Sequence, residues 1–317
     1  MKISVVIPVK NGAATLRLCL EKITTQTIGN LEIILLDSMS DDDSKSIGLE
    51  YGATIINIPN GTFNHGLTRN LGVLHTTGDL VYLTVQDAWL SENDMLERMA
   101  NHFYDNDVQA VAGHQATPWG HADKNPAYWF KRYSKPEIGI RHFPNNSFEK
   151  LSLRDQFEQS GWDNVNAMYR KTALTKIPFA ETNFSEDWFW AKEALHAGIK
   201  LIYDPSIVVH HYHHQTFRYK FNTDYTLNYH LYKEFKQLPV ISWSPLRFIR
   251  ASFTIVKRNE VTLIKKPFWI LHNLGIYTAS LLSAITFRIA FLLGKEKMLN
   301  KSHSIFCKEI PQGRIKN

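Results

Sequence analysis

Five short apolar runs in the first 113 residues, alternating with stretches of helical spacing, restrict this chain more than any other feature. The runs are Ile3 to Val9, Leu31 to Asp37, Thr54 to Ile58, Leu80 to Thr84 and Val108 to Gly113, and helices are expected from near Ala14, Asp42, Thr68 and Asp94. Strand and helix in alternation build βαβ units around a parallel sheet. Several runs are apolar nearly throughout, as strands are when helices cover both faces. The fold class expected is α/β, a doubly wound, mostly parallel sheet whose ligands sit beyond the carboxyl ends of the strands. Polar residues interrupt the runs there: Asn11, Asp37, the Phe63 to Asn70 segment, and Gln86 with Asp87.

The rest of the chain changes character twice. From His114 to about Gly161 it is rich in aromatics, Pro and Asn with weak periodicity, which suggests a long excursion that lines or covers a site. Order returns with Asn164 to Arg170, a helix from Glu186 to Ala197 closed by Gly198, and β runs at Leu201 to Tyr203 and Ile207 to His210. Helices are expected after Thr216, so the division is 1–220 for the α/β domain and 221–317 for a helical region.

Charge separates the same two parts. The net charge is +6, yet residues 239–317 hold 13 basic and 3 acidic residues while residues 1–238 hold 23 and 27. A uniformly basic, nucleic-acid-binding surface is therefore excluded, and a basic tail that meets an anionic surface is indicated. Within that tail Phe268 to Phe287 is 20 residues with only His272 ionisable, the length of a bilayer span. Basic residues on both sides oppose a span, so a helix or helical hairpin lying in the cytoplasmic membrane interface is preferred over packing on the α/β domain or on a second copy. The cysteines, Cys19 and Cys307, are too few for a disulfide scaffold and suit a reducing, cytoplasmic compartment. The opening run to Val9 is too brief for a signal-peptide core and is expected to be the first strand.

Five groups of residues can carry chemistry. Asp37 ends the second strand, where a carboxylate can accept hydrogen bonds from a base or ribose, and Asp41 to Asp43 after it equally suit a helix cap. No GxGxxG or GxxxxGK[ST] follows the first strand, which removes dinucleotide and P-loop readings. In FNHGLTRN, Gly66 relaxes a turn, Thr68 can cap the helix, and Arg69 near the helix start can clamp a diphosphate or pair with Asp41 or Asp87. Asp87 after a central strand can hold a divalent cation or merely form a turn. Asp187 follows Glu186 at a helix start among Trp188, Phe189 and Trp190, where desolvation raises a carboxylate's basicity. Finally, His210, His211, His213 and His214 follow a strand end and offer metal ligands, though four in a row cannot all face one ion.

In this order the motifs resemble the family 2 inverting glycosyltransferases with a GT-A fold. The resemblance rests on ISVVIPVKNGAATLRLCLEKITTQT, LEIILLDSMSDDDS, Arg69 in TRN, and FSEDWFWAKEALHAGIKLIY, and covers about residues 1–220. FNHGLTRN, VQDA in place of DxD, and the NFSEDWFW to VVHHYH stretch look like bacterial rhamnosyltransferases of surface-polysaccharide assembly. The resemblance implies that Pro8 and Asn11 border the nucleotide, that Asp37 contacts the base and that Arg69 contacts the diphosphate. It implies Asp187 as catalytic base and Asp87 with His210 or a neighbour as ligands of Mg2+ or Mn2+, while His65, Gln86, Glu186 and Trp188 complete the substrate set. Gln86 departs from the DxD pattern, which weakens the expectation of tight metal dependence.

The function implied is transfer of a sugar, L-rhamnose from dTDP-L-rhamnose, to a hydroxyl of a lipid-linked saccharide at the inner face of the plasma membrane. The alternatives are another donor such as a UDP-hexosamine, or a non-catalytic glycan-binding or assembly subunit. A sugar nucleotidyltransferase would need a Gly-rich basic loop where this chain has VKNGAAT. Self-association of the chain stays open.

Overall fold

The structure is a computed structural model, which describes residues 1–129, 137–182, 184–241 and 244–306. Cys307 lies outside the described residues. The strands are β1 (Ile3–Val9), β2 (Leu31–Asp37), β3 (Thr54–Asn57), β4 (Leu80–Leu83), β5 (Ala88–Leu90), β6 (Val108–Ala116), β7 (Gly139–Arg141), β8 (Ala167–Arg170) and β9 (Lys200–His211). The helices are α1 (Ala13–Thr24), α2 (Ser44–Glu50), α3 (His65–Leu74), α4 (Met95–Asn101), α5 (Leu153–Gln159), α6 (Lys171–Lys176), α7 (Glu186–His196), α8 (Phe217–Phe235), α9 (Pro245–Lys257) and α10 (Lys265–Phe306).

The sheet runs in the order β3-β2-β1-β4-β8-β6-β9-β5, with β7 on β9. The β3-β2-β1-β4 half is parallel, and β6 and β9 run with it; only β5, β7 and β8 oppose. The mostly parallel α/β sheet expected from the apolar runs is thus present. Alternate residues of each strand feed opposite faces. Val5, Ile7 and Leu35 pack with Leu16 and Leu20 of α1 on one side, while Val6, Ile34 and Leu36 pack with Val73 of α3 on the other. Burial on both faces explains why these strands lack a polar alternation.

The two β runs expected at Leu201 and Ile207 are one strand. Gly113 pairs with Asp204 and His114 with Val208, so residues 205–207 bulge from the ladder without ending it. Pro205 has no N–H to give the ladder, and Asp204 accepts the Ser206 N–H at 2.8 Å to close the bulge. Three-residue β5 and β7 and short α5 and α6 had too little periodicity to be read from the chain.

The described residues form two compact units, one of residues 1–116 and 137–211 and the other of residues 117–129 and 212–306. In the second, Tyr225 and Tyr232 of α8 pack against Phe287 of α10, and the buried amides of Asn125 and Asn273 pair at 2.6 Å. Among the described residues α10 is one helix long and apolar enough to cross a membrane by length and composition. It is interrupted by non-helical backbone at Gly294 and Lys295.

Candidate active site

The loops after β1, β2 and β4 are tied by backbone-directed side chains. Asn11 adopts a left-handed φ of 48°, which Asn tolerates, and its Oδ1 accepts the Asp41 N–H at 3.1 Å. Lys10 Nζ donates to the Ser38 and Met39 carbonyls at 2.8 and 2.7 Å. Asp37 is buried at the end of β2, accepts the Ser40 N–H at 3.1 Å and lies 3.3 Å from Lys45 Nζ. Pro8, half-buried, precedes this loop in register with Leu36. Asp43 occupies the cap position of α2 without a side-chain bond; Asp42 instead accepts the Ser44 and Ala13 N–H groups.

Gln86 has a defined structural task. Its Oε1 accepts the Lys10 N–H at 2.8 Å and its Nε2 donates to the Lys10 carbonyl at 3.2 Å, so one amide pairs with both backbone groups of a single residue. Gly12 permits the approach, since a Cβ there would lie 2.5 Å from Gln86 Oε1.

FNHGLTRN opens α3 one turn earlier than expected. Asn64 is the cap, accepting the Leu67 N–H at 3.0 Å, and Thr68 inside the helix accepts the Asn64 N–H at 3.3 Å. Asn70 pairs with both backbone groups of Phe179. Gly66 is required by a close approach: a Cβ there would fall 1.9 Å from the Ala180 carbonyl oxygen. Together these hold α3 against the segment that leads into α7. Arg69 is 4% exposed, and it pairs with Glu186 at 2.6 Å rather than with the expected Asp41 or Asp87. That partner lies far along the chain, where no local spacing announces it.

Around this pair the structure gathers a buried polar cluster. Asn164 Nδ2 donates to Glu186 Oε1 at 3.1 Å, and Tyr169 donates its hydroxyl proton to Asn164 Oδ1 while accepting from Trp162 Nε1 at 2.7 Å. Asp187 accepts the Asn164 N–H at 3.3 Å and the Trp188 N–H at 2.9 Å. Its turn begins at Ser185, whose φ is 64°. Trp188 packs on Phe157 with ring centroids 4.9 Å apart, and Trp190 is buried among Trp162, Tyr169 and Phe179, so the aromatics do divide between two faces.

Charge follows from this packing. Burial, the Glu186 carboxylate and Asp163 push the Asp187 carboxyl well above the usual range. Burial alone would raise Glu186 too, but Arg69, His65 and Asn164 outweigh it and hold Glu186 low. Burial and Arg69 lower His65, whose ring meets Phe63 edge-on, against the opposing pull of Glu186. The cluster thus sets one carboxylate that stays ionised beside one that binds a proton readily, an arrangement suited to acid–base work.

The cation candidates resolve by strand alternation. In the β5–β9 ladder Ala88 faces His211 and Trp89 faces His210. Of the two ladder histidines, His211 reaches Asp87, with Nε2 at 3.5 Å from Oδ1, whereas His210 packs against Trp89 with centroids 5.8 Å apart. Gln115 donates to Asp163 through Nε2 and accepts the His211 Nδ1–H at 2.6 Å through Oε1. That bond makes Nδ1 the donor nitrogen, so Nε2 is the atom a cation beside Asp87 would meet. Cis ligands on an ion with bonds of about 2.1 Å sit about 3 Å apart, so Asp87 and His211 fit one cation with little movement. His211→Ala is expected to weaken Mn2+ binding about tenfold while His210→Ala leaves it intact, as measured by electron paramagnetic resonance titration. Asn164, Asp163 and Gln115 carry no motif, and only their side-chain bonds in the folded chain reveal them.

Comparison with known proteins bears on the same elements. The family model described as glycosyl transferase family 2 matches residues 4–177. The chain is 30% identical over 281 residues to the O-antigen chain rhamnosyltransferase RfbN of Salmonella typhimurium, covering 85% of this chain and 84% of that one. It is 28% identical to the O-antigen chain rhamnosyltransferase WbaN of Salmonella anatum, covering 77% and 76%. Among solved structures, the mannosyltransferase PcManGT from Pyrobaculum calidifontis, in complex with GDP-Man and Mn2+, is similar with a TM-score of 0.55 at 16% identity, over 96% of this chain and 84% of that one. TarS of S. aureus in complex with UDP is similar with a TM-score of 0.51 at 14% identity, over 91% of each chain. These two likenesses concern the fold alone.

Proposed function

The chain belongs to glycosyl transferase family 2 and is a nucleotide-sugar glycosyltransferase of the GT-A fold, and from that membership we propose that it transfers L-rhamnose from dTDP-L-rhamnose. The acceptor is a hydroxyl of a lipid-linked saccharide in bacterial O-antigen, capsule or cell-wall polysaccharide synthesis. Similarity to two O-antigen chain rhamnosyltransferases over most of both chains supports the donor and the acceptor class. The enzyme works at the cytoplasmic face of the plasma membrane, where such an acceptor is found.

The observation that carries the mechanism is Asp187, a carboxyl of raised basicity held beside ionised Glu186. Asp187 accepts the proton of the acceptor hydroxyl as that oxygen attacks the anomeric carbon. The bond from that carbon to the diphosphate breaks on the opposite face, and the product has inverted configuration. Asn164 holds both acidic residues of the pair, through its side chain to Glu186 and its N–H to Asp187, so the base stays in place as its charge changes. Asp87 and His211 would hold a divalent cation, whose charge would stabilise the departing diphosphate. Asn11, Asp37 and the loop stitched by Lys10 form the donor's nucleotide end, with Pro8 and Gln86 beneath it.

Thermal shift and transfer assays with dTDP-rhamnose, a UDP-hexosamine and GDP-mannose test this reading. A ligand that binds only the native state raises its stability with log concentration, so dTDP-rhamnose is expected to give the largest rise and the only turnover. Proton NMR of the product reads the anomeric configuration. Turnover with the UDP-hexosamine in its place would reassign the donor.

A further inference from the structure

The second unit presents an apolar surface that the chemistry above does not use. Within α9, Leu246, Ile249, Phe253 and Val256 are all exposed. At 100° per residue they fall in an arc of about 80°, with buried Ile255 close to the opposite side. The chain continues through Leu263 and Ile264, which are 81% and 89% exposed. Polar contacts within the unit do not account for this stripe, since the side of α9 that packs inward is the Ile255 side, with Trp129, Val261 and Trp269.

Cations edge the stripe. Arg250 and Lys257 lie beside it on the helix, Arg247 one step further round, and Lys265 follows the loop, all exposed. Lys257 Nζ sits 4.4 Å from the Phe253 ring centroid, so charge and apolar area are offered together. Residues 245–266 hold one acidic residue, Glu260, against Arg247, Arg250, Lys257, Arg258, Lys265 and Lys266.

We propose that this face of α9, with the loop to α10, is a docking surface for an anionic phospholipid bilayer. Apolar side chains with basic residues at their edge match the acyl boundary and the headgroups above it. A second copy of the chain fits less well, because a two-fold contact would bring the same cations face to face. The surface assigned here adds to the tail helix favoured by composition: α10 buries Trp269, Asn273, Ile276 and Phe287 within its own unit and exposes Leu271, Leu292 and Leu293. The proposal rests on the peripheral location given under the proposed function.

The test is co-sedimentation of the full-length protein with vesicles of phosphatidylglycerol and phosphatidylcholine, against phosphatidylcholine alone. Wild-type protein is expected to bind the anionic vesicles about tenfold more tightly or better. Ile249→Ser with Phe253→Ser, and separately Arg250→Ala with Lys257→Ala, each lower that affinity about tenfold or more, with unchanged melting and unchanged dTDP-rhamnose turnover on a water-soluble acceptor. Undiminished vesicle binding by both double variants overturns the surface. So does a wild-type dimer that the serine variant converts to monomer in sedimentation velocity, which would give the face to a second copy. Wild-type protein that binds the vesicles and turns over no dTDP-rhamnose supports the surface and refutes the donor reading alone.

Discussion

Asp187→Asn is expected to lower kcat about a thousandfold or more while leaving donor affinity within about twofold. Asn keeps the shape and its one carbonyl oxygen still accepts from either Asn164 or Trp188 N–H, each of which bonds a different oxygen of Asp187, but it cannot take the acceptor's proton. The check is single-turnover transfer beside calorimetric donor binding, and full turnover by the variant would remove Asp187 from the mechanism. A pH profile adds a sharper reading. A base works in its deprotonated form, so activity climbs as pH rises through the Asp187 value, which stands above the usual carboxylate range. Asp163→Asn removes one of the negative neighbours that raise it, and the acidic limb of the profile should move to lower pH.

Arg69→Met is expected to destabilise the fold by about 3–5 kcal/mol, because it strands the buried Glu186 carboxylate. Adding Glu186→Gln in the same chain removes that charge and should restore most of the loss. Urea denaturation of the two single variants and the double variant closes the cycle. The outcome also decides what Arg69 is for. If the double variant regains stability and binds donor normally, the arginine serves to keep Glu186 ionised beside Asp187. If it regains stability yet loses donor affinity, Arg69 has the diphosphate as a second partner, as its place in the motif implies.

The parallel half of the sheet was legible because β1, β2 and β4 are buried on both faces, which leaves an unbroken apolar run that turn residues bound sharply. The desolvation of Asp187 was legible for a similar reason: a carboxylate set among three aromatics carries its environment in its own neighbours. His211 was not. Neighbouring residues on a strand differ in which face they meet, and only the pairing of Ala88 with His211 across the ladder tells the two histidines apart. Gln115 stayed hidden likewise, since it looks like a surface polar residue until β6 is laid beside β9, and Asp163, in the loop before β8, is found only through its bond to Gln115. The Arg69–Glu186 pair needs α3 and α7 brought together, which in turn depends on Gly66 and the backbone at Ala180.

Gln86 limits what the loop after β1 can accept. An amide can donate and accept at once, and this one closes on both backbone groups of Lys10 over a glycine that leaves no room for a side chain. A carboxylate at the same position would keep the bond to the Lys10 N–H and set its other oxygen against the Lys10 carbonyl, two acceptors facing each other. Glutamate at position 86 is therefore expected to loosen the loop after β1. The geometry of the loop after β1 and the identity of residue 86 are thus a single choice.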